Sequence, residues 1–297
     1  MTGCSAGHLP GLELLMLPPF HIFEGNVSLL TWYPDPIVLF GVLSAGFLYF
    51  RYTGHKRDVF MHSAPVPLPK QLSFYGGLAA VVIGLLSPIG VLADQYWLSA
   101  HMVQHAFLTM IIPPMLLWGT PVWMIDAFIR RFPRAWGIWR FVTRPVLAFL
   151  LAHLPYSIAH YPVIYESMLN YDILHIFYHQ IFFFTAFVAW WPIMAPGREY
   201  GQLAPPVQIL YFFVQTIPGQ IVGAMIALAD RPLYQPYIDA PRVLGLSVMV
   251  DQQIAGMIMW VATGTIYLGL MAIVFFRWAA AEDRAEAKRY AGVRNTT

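Results

Sequence analysis

The chain has almost no cysteine and little charge. Cys4 stands alone among 297 residues, which excludes an internal disulfide and a thiolate metal cage. Charged residues make up 11% of the composition, against about 25% in an ordinary soluble domain. Residues 1–35 hold no Lys or Arg, so the basic start of a cleavable export signal is not expected there. No phosphate loop, Gly-rich nucleotide fingerprint or Ser-His-Asp order is present. The net charge of +2 is spread over separate loops, and no basic stripe points to nucleic acid.

What is abundant is apolar sequence, 58% of the chain. It falls in runs at residues 37–51, 72–92, 97–118, 145–160, 171–194, 205–229 and 247–277. A hydrocarbon core about 30 Å thick needs about 20 helical residues, so the first and fourth runs are short. Backbone groups in lipid must be satisfied within the chain, so each run is expected to be helical. Of the 17 Lys and Arg, all but Arg231 and Arg242 lie after the first, third, fifth and seventh runs. This alternation follows the positive-inside rule. It predicts an all-α membrane protein, a seven transmembrane helix bundle with its N-terminus outside and its C-terminus cytoplasmic. The expected location is the bacterial inner (plasma) membrane, crossed several times.

The expected organisation is an extracytoplasmic segment over 1–35, the transmembrane domain over 36–278 and a cytoplasmic tail over 279–297. Residues 12–20 read as a short interfacial segment, interrupted by Pro18 and Pro19. Residues 120–144 mix Trp123, Trp136 and Trp139 with five arginines. That mixture suits an amphipathic stretch in the inner headgroup region, or an ordinary inner loop with interfacial aromatics. Residues 280–290 are rich in Ala, Glu and Arg and should extend the last helix. Pro113-Pro114 should kink the third span, and Pro218-Gly219 should break the sixth near its middle. Ala255-Gly256 should let helices approach closely.

With sides assigned, the ionisable residues fall into one layer. At 1.5 Å per residue, His101 and His105 lie about 6 and 12 Å into span three. His175 and His179 reach the same two depths in span five. His160 closes span four, with His153 two turns below it. Asp251 lies one turn into span seven, and Asp94 and Gln95 end span two. Intramembrane ionisable groups are costly and face the bundle interior or a watery cavity. Residues at i and i+4 share a helix face, so each histidine pair offers two imidazoles to one ion. Two such pairs supply four nitrogen ligands, with His160 and Asp251 completing or orienting the site. His8, His21, His55 and His62 read as ordinary interfacial histidines. Met257 and Met259 are soft donors in principle, but in a chain with 14 methionines they read as core or lipid-facing.

Four stretches, in order, resemble one family. The first is His101-Met-Val-Gln-His105, leading to Pro113-Pro114 and Trp118-Gly119-Thr120-Pro121. The second is His160-Tyr161-Pro162, Leu174-His175, His179 and Trp190-Trp191-Pro192. The third is Gln215-Thr216-Ile217-Pro218-Gly219, through Gly223, to Ala229-Asp230-Arg231-Pro232-Leu233-Tyr234. The fourth is Asp251-Gln252-Gln253-Ile254-Ala255-Gly256 with Met259-Trp260. Together they resemble the polytopic CtaG-type cytochrome c oxidase assembly factors, over about residues 30–278. The resemblance implies a non-enzymatic role in maturing haem–copper oxidases, with copper as the delivered ion and oxidase subunits as partners.

Imidazole suits copper, zinc, iron and nickel, so ligand type alone does not choose the metal. Three other readings stay open. A b-type haem protein would use one histidine from span three and one from span five as axial ligands. A dinuclear-metal membrane oxidase would bridge two iron ions with Asp251. A transporter would use the histidines as a proton relay. A polar helix-packing network is the plainest reading of all.

Overall fold

The computed structural model describes residues 31–54, 64–242 and 245–294. Cys4, His8, His21, His55, His62 and the segment at 12–20 lie outside them. Among the described residues all regular structure is helical. The elements are α1 (Pro36–Thr53), α2 (Leu68–Leu86), α3 (Pro88–Gln95), α4 (Leu98–Ala106), α5 (Ile112–Gly119), α6 (Val122–Arg131) and α7 (Pro133–Val142). They continue with α8 (Pro145–Ala159), α9 (Pro162–Asn170), α10 (Asp172–Met194), α11 (Pro205–Ala227), α12 (Gln235–Asp239), α13 (Val248–Met257) and α14 (Thr263–Arg294). Short π-helical turns at Phe107–Ile111 and Ile258–Ala262 join α4 to α5 and α13 to α14.

Six helical stretches are long and apolar enough to cross a membrane: Pro36–Thr53, Leu68–Leu86, Leu98–Gly119, Ile173–Met194, Pro205–Ala227 and Val248–Arg289. The chain is therefore a multi-pass helical membrane protein. The fourth apolar run forms α8, only 15 residues long. At 1.5 Å per residue that is about 22 Å, short of a hydrocarbon core. It joins α7 at a bend of 74°, and a seventh span is reached only if this bent pair is one crossing.

Local chemistry explains where the helices start. Asp35 caps α1, its Oδ1 accepting from Ile37 N at 2.7 Å and Val38 N at 2.9 Å, with Pro36 in the first turn. This satisfies donors that have no partner within the helix. Proline also opens α2, α3, α7, α8, α9 and α11. In the first turn its missing N–H costs no helical bond.

The expected kink at Pro113-Pro114 takes the form of the π turn just before it. Pro113 has no N–H for the Thr109 carbonyl, one turn back. The Trp190 indole donates to that carbonyl instead, at 2.8 Å, tying α10 to the irregular turn. Pro218-Gly219 behaves differently from expectation. It does not end the sixth span, and α11 runs unbroken through it. Neighbouring helices absorb a single lost helical bond in a packed membrane bundle.

The close approach expected at Gly256 is present, between α11 and α13. A Cβ added at Gly256 would meet Gly223 O at 2.6 Å, and one added at Gly223 would meet Trp260 N at 2.6 Å. No side chain larger than hydrogen fits at either position without moving backbone.

At the arginine end, α6 and α7 bury none of their residues, while Phe128, Phe132, Ile138 and Phe141 are exposed beside the arginines. That is the expected amphipathic pattern. The Tyr200 hydroxyl donates to Asp126 Oδ1 at 2.7 Å, which anchors α6 to the turn at Arg198–Tyr200. This bond holds the Tyr200 phenol up at about 12. The last helix continues to Arg294, as the composition of 280–290 predicts.

Candidate metal centre

Helices α4 and α10 bring two histidine pairs together. His101 and His105 sit one turn apart on α4, with 2% and 6% of their surface exposed. His175 and His179 sit one turn apart on α10. The Nε2 atoms of His101 and His105 are 2.8 Å apart, and those of His105 and His179 are 3.2 Å apart. One ligand nitrogen each from His101, His175 and His179 lies within 4.8 Å of the others. The His101 and His175 rings stack at 5.3 Å, and the His175 and His179 rings are 4.3 Å apart. Three imidazoles from two helices thus meet in one cluster, and His105 adjoins it through His101 and His179.

An ion bonded tetrahedrally at about 2 Å to imidazole nitrogens sets those nitrogens about 3.3 Å apart. The His105–His179 spacing between α4 and α10, 3.2 Å, is of that size, and the nitrogens of His101, His175 and His179 lie within 4.8 Å of one another. Among the described residues, the clustered ligand atoms are all imidazole nitrogens.

His160 approaches from the end of α8. Its Nδ1–H donates to the Tyr156 carbonyl at 2.7 Å. That bond leaves Nε2 without a proton, since a neutral imidazole carries one. The bare Nε2 is buried with no hydrogen-bond partner, and the ring centre lies 6.0 Å from that of His105. A buried unpaired acceptor is costly, and a bound ion would satisfy it.

Asp251 is only 1% exposed, and its hydrogen bonds reach across the bundle. Oδ2 accepts from Leu98 N at 2.8 Å, and Oδ1 accepts from Ser99 N at 3.0 Å and from the Ser99 hydroxyl. Helix α4 has no side-chain cap of its own. A carboxylate borrowed from α13 therefore caps the helix that carries His101 and His105. The favourable field at a helix N-terminus suits this negative charge. Of the two roles expected of Asp251, ligand or orienter, these bonds serve orientation.

Residues to which the sequence assigns no role of their own complete the surroundings. Gln252, beside Asp251, accepts from Leu233 N at 2.7 Å and donates to Arg231 O at 3.2 Å and Ile226 O at 3.3 Å. It pins the loop after α11. That loop carries Tyr234, whose hydroxyl donates to His160 O at 2.9 Å. Tyr165 on α9 packs on Tyr234 at 4.3 Å and faces the rings of His101 and His160. Burial pushes the Tyr234 and Tyr237 phenols above their usual range, so both remain neutral donors. Tyr234 is legible in the sequence only as part of a motif; nothing in local spacing points it at His160.

His153 stands apart from the other five described histidines. Its Nε2 bonds to Gln215 Oε1, and its ring lies against Phe149. The layer read from the sequence therefore divides into a five-histidine cluster and one separate residue.

Comparison with known proteins bears on this geometry. Residues 47–281 match the family described as cytochrome c oxidase caa3 assembly factor. An uncharacterized protein of Mycobacterium leprae is 22% identical over 241 residues. Uncharacterized proteins of Mycobacterium bovis and Mycobacterium tuberculosis are each 24% identical over 241 residues. Each match covers 75% of this chain but 36% of the relative, so the chain spans about a third of the length of these relatives. No solved structure matches.

Proposed function

The chain belongs to the cytochrome c oxidase caa3 assembly factor family, and on that premise we propose that it binds copper between His101, His105, His175 and His179 and delivers it to a haem–copper oxidase. The observation that carries this reading is the meeting of imidazole nitrogens from two separate helices. His160 completes the site, and Asp251 positions it by holding the start of α4. The copper is cargo: the chain binds and releases it and performs no turnover of its own.

Orientation follows from charge. The arginine-bearing loops face the cytoplasm and the histidine end faces outward, in a bacterial inner membrane. The short helix α8, with its bent partner α7, makes the fourth of seven crossings. Copper then sits on the side from which an oxidase would receive it, and oxidase subunits are the partners.

The short contacts favour a single ion over a haem. A haem held by two axial histidines places its iron and a porphyrin plane between the two imidazoles. The His105 and His179 nitrogens, 3.2 Å apart, leave no such slot between them. First-row affinities peak at copper(II) for nitrogen sites, and the family role in oxidase assembly selects copper over zinc. All-imidazole coordination suits a carrier, because a softer acceptor can draw the ion away.

Elemental analysis and a visible spectrum on one purified preparation test the reading. Near-stoichiometric copper without a Soret band is expected, falling below about a tenth in His101→Ala and in His175→Ala. Full copper in both variants would remove the site. Cells lacking the protein should contain haem–copper oxidase depleted of copper; normal oxidase copper and turnover would remove the delivery role.

A further inference from the structure

Below the imidazoles lies a cavity of about 90 Å³ that shares His105 with them. Met102, Met110, Met259, His153 and Gln215 also line it. The three methionines are buried, at 2%, 8% and 3% exposure. No carboxylate is among the lining residues.

The helices around this cavity are irregular where they meet it. Met110 belongs to one π turn and Met259 to the other. A Cβ added at Gly219, next to Pro218 on α11, would make ordinary contact with Met259 O at 3.8 Å and with the Tyr156 hydroxyl at 3.9 Å. Helix α8 contributes His153, two residues before its internal Pro155. Four helical stretches thus depart from regular helical sequence or geometry around one small void. π turns recur at functional sites. In membranes, irregular backbone persists where it is buried in protein or lines a cavity.

The donor chemistry differs from that of the cluster above. Thioether sulfur is a soft ligand that prefers a monovalent metal ion, and imidazole accepts the same ion. A hard divalent ion would find no anionic oxygen in this wall. His105 links the two places. Its Nε2 meets His101 and His179, while its buried Nδ1 has no hydrogen-bond partner.

We propose that this cavity is a second metal station, built for a soft monovalent ion and connected to the histidine cluster through His105. The proposal rests on the copper reading for the identity of the cargo. The donor set itself points to copper in its monovalent state, held by Met102, Met259 and His105, with Met110 and His153 adjoining.

Silver(I) and zinc(II) separate the two places, since silver is soft and redox-inert while zinc favours imidazole without thioether. The full chain in detergent is loaded with each metal alone, desalted and analysed. Two silver ions and one zinc ion per chain are expected. Met102→Leu/Met259→Leu, which keeps side-chain volume nearly constant, should hold one silver and one zinc. His175→Ala should lose the zinc and one silver and keep the other. If the leucine pair does not fold, the single variants are read, each expected to weaken the second silver at least tenfold. Two silver ions retained in the leucine variants would overturn the station and reduce the methionines to packing. A single silver in the wild-type chain, lost with His175→Ala, would overturn it while sparing the histidine site. A silver lost only with the methionines, in a chain that binds no zinc, would support the station and sink the site above it.

Discussion

The two ends of Leu98–Gly119 treat polar chemistry in opposite ways. At the histidine end, Asp251, Gln252 and Tyr234 make hydrogen bonds to distant segments of the chain, and His160 bonds within its own helix while accepting from Tyr234. At the arginine end, α6 and α7 bury nothing and hold the rest of the chain through the Tyr200–Asp126 bond and the rings around Trp191. Both ends are aromatic and both carry ionisable groups. The lesson is that composition does not mark the site; burial with shared partners does. A polar group taken out of water without a partner costs about 1–3 kcal/mol, so a cluster of them persists where structure or ligand satisfies each one.

Substitutions at the two ends can break this contrast. The largest effect is expected from Gly256→Leu. Its Cβ would strike the backbone of Gly223, and overpacking should cost at least about 3 kcal/mol. Yield of folded, monodisperse protein should collapse, and a normal elution profile would refute the close approach. Next comes Asp251→Ala, which strands the Leu98 and Ser99 amides. It should lower stability by about 2 kcal/mol and weaken copper about tenfold through the displaced α4. Unchanged copper affinity in a destabilised protein would confine Asp251 to packing.

His160→Gln keeps a polar side chain at that position but removes the imidazole nitrogen. Copper should bind about tenfold more weakly with little loss of stability; unaltered binding would exclude His160 from the site. The smallest effect should come from Tyr200→Phe at the opposite end. Losing one half-exposed hydrogen bond should cost under about 1 kcal/mol and leave copper binding unchanged. The Tyr200 phenol titrates at about 12 rather than 10.0. Its stabilisation is therefore intact below pH 10 and lost as pH rises from 10 to 12. Thermal melts across that range should lose the difference between wild type and Tyr200→Phe. Copper loss in this variant would erase the distinction between the two ends.

Much of the architecture is legible without coordinates because helical period and membrane thickness are fixed lengths. Spacing at i and i+4 puts His101 and His105 on one face of α4, and His175 and His179 on one face of α10. Other features depend on partners far away in sequence. Asp251 and Leu98 are 153 positions apart, and nothing local to either one reveals the cap. The π turns arise beside prolines and glycines whose effects depend on their neighbours: Pro113 is answered by Trp190, whereas Pro218 leaves α11 intact. The shortness of α8 was visible as a short run, but its bend from α7 was not.

Sequence alone therefore determined which segments are helical and which histidines share a face, because these follow from hydrophobic run length and rise per residue. Tertiary structure decided that the two pairs face each other, that His153 leaves them, and that Asp251 serves a helix end. Those outcomes turn on which helix faces pack together, and packing is settled by contacts between distant residues rather than by any one segment's own pattern.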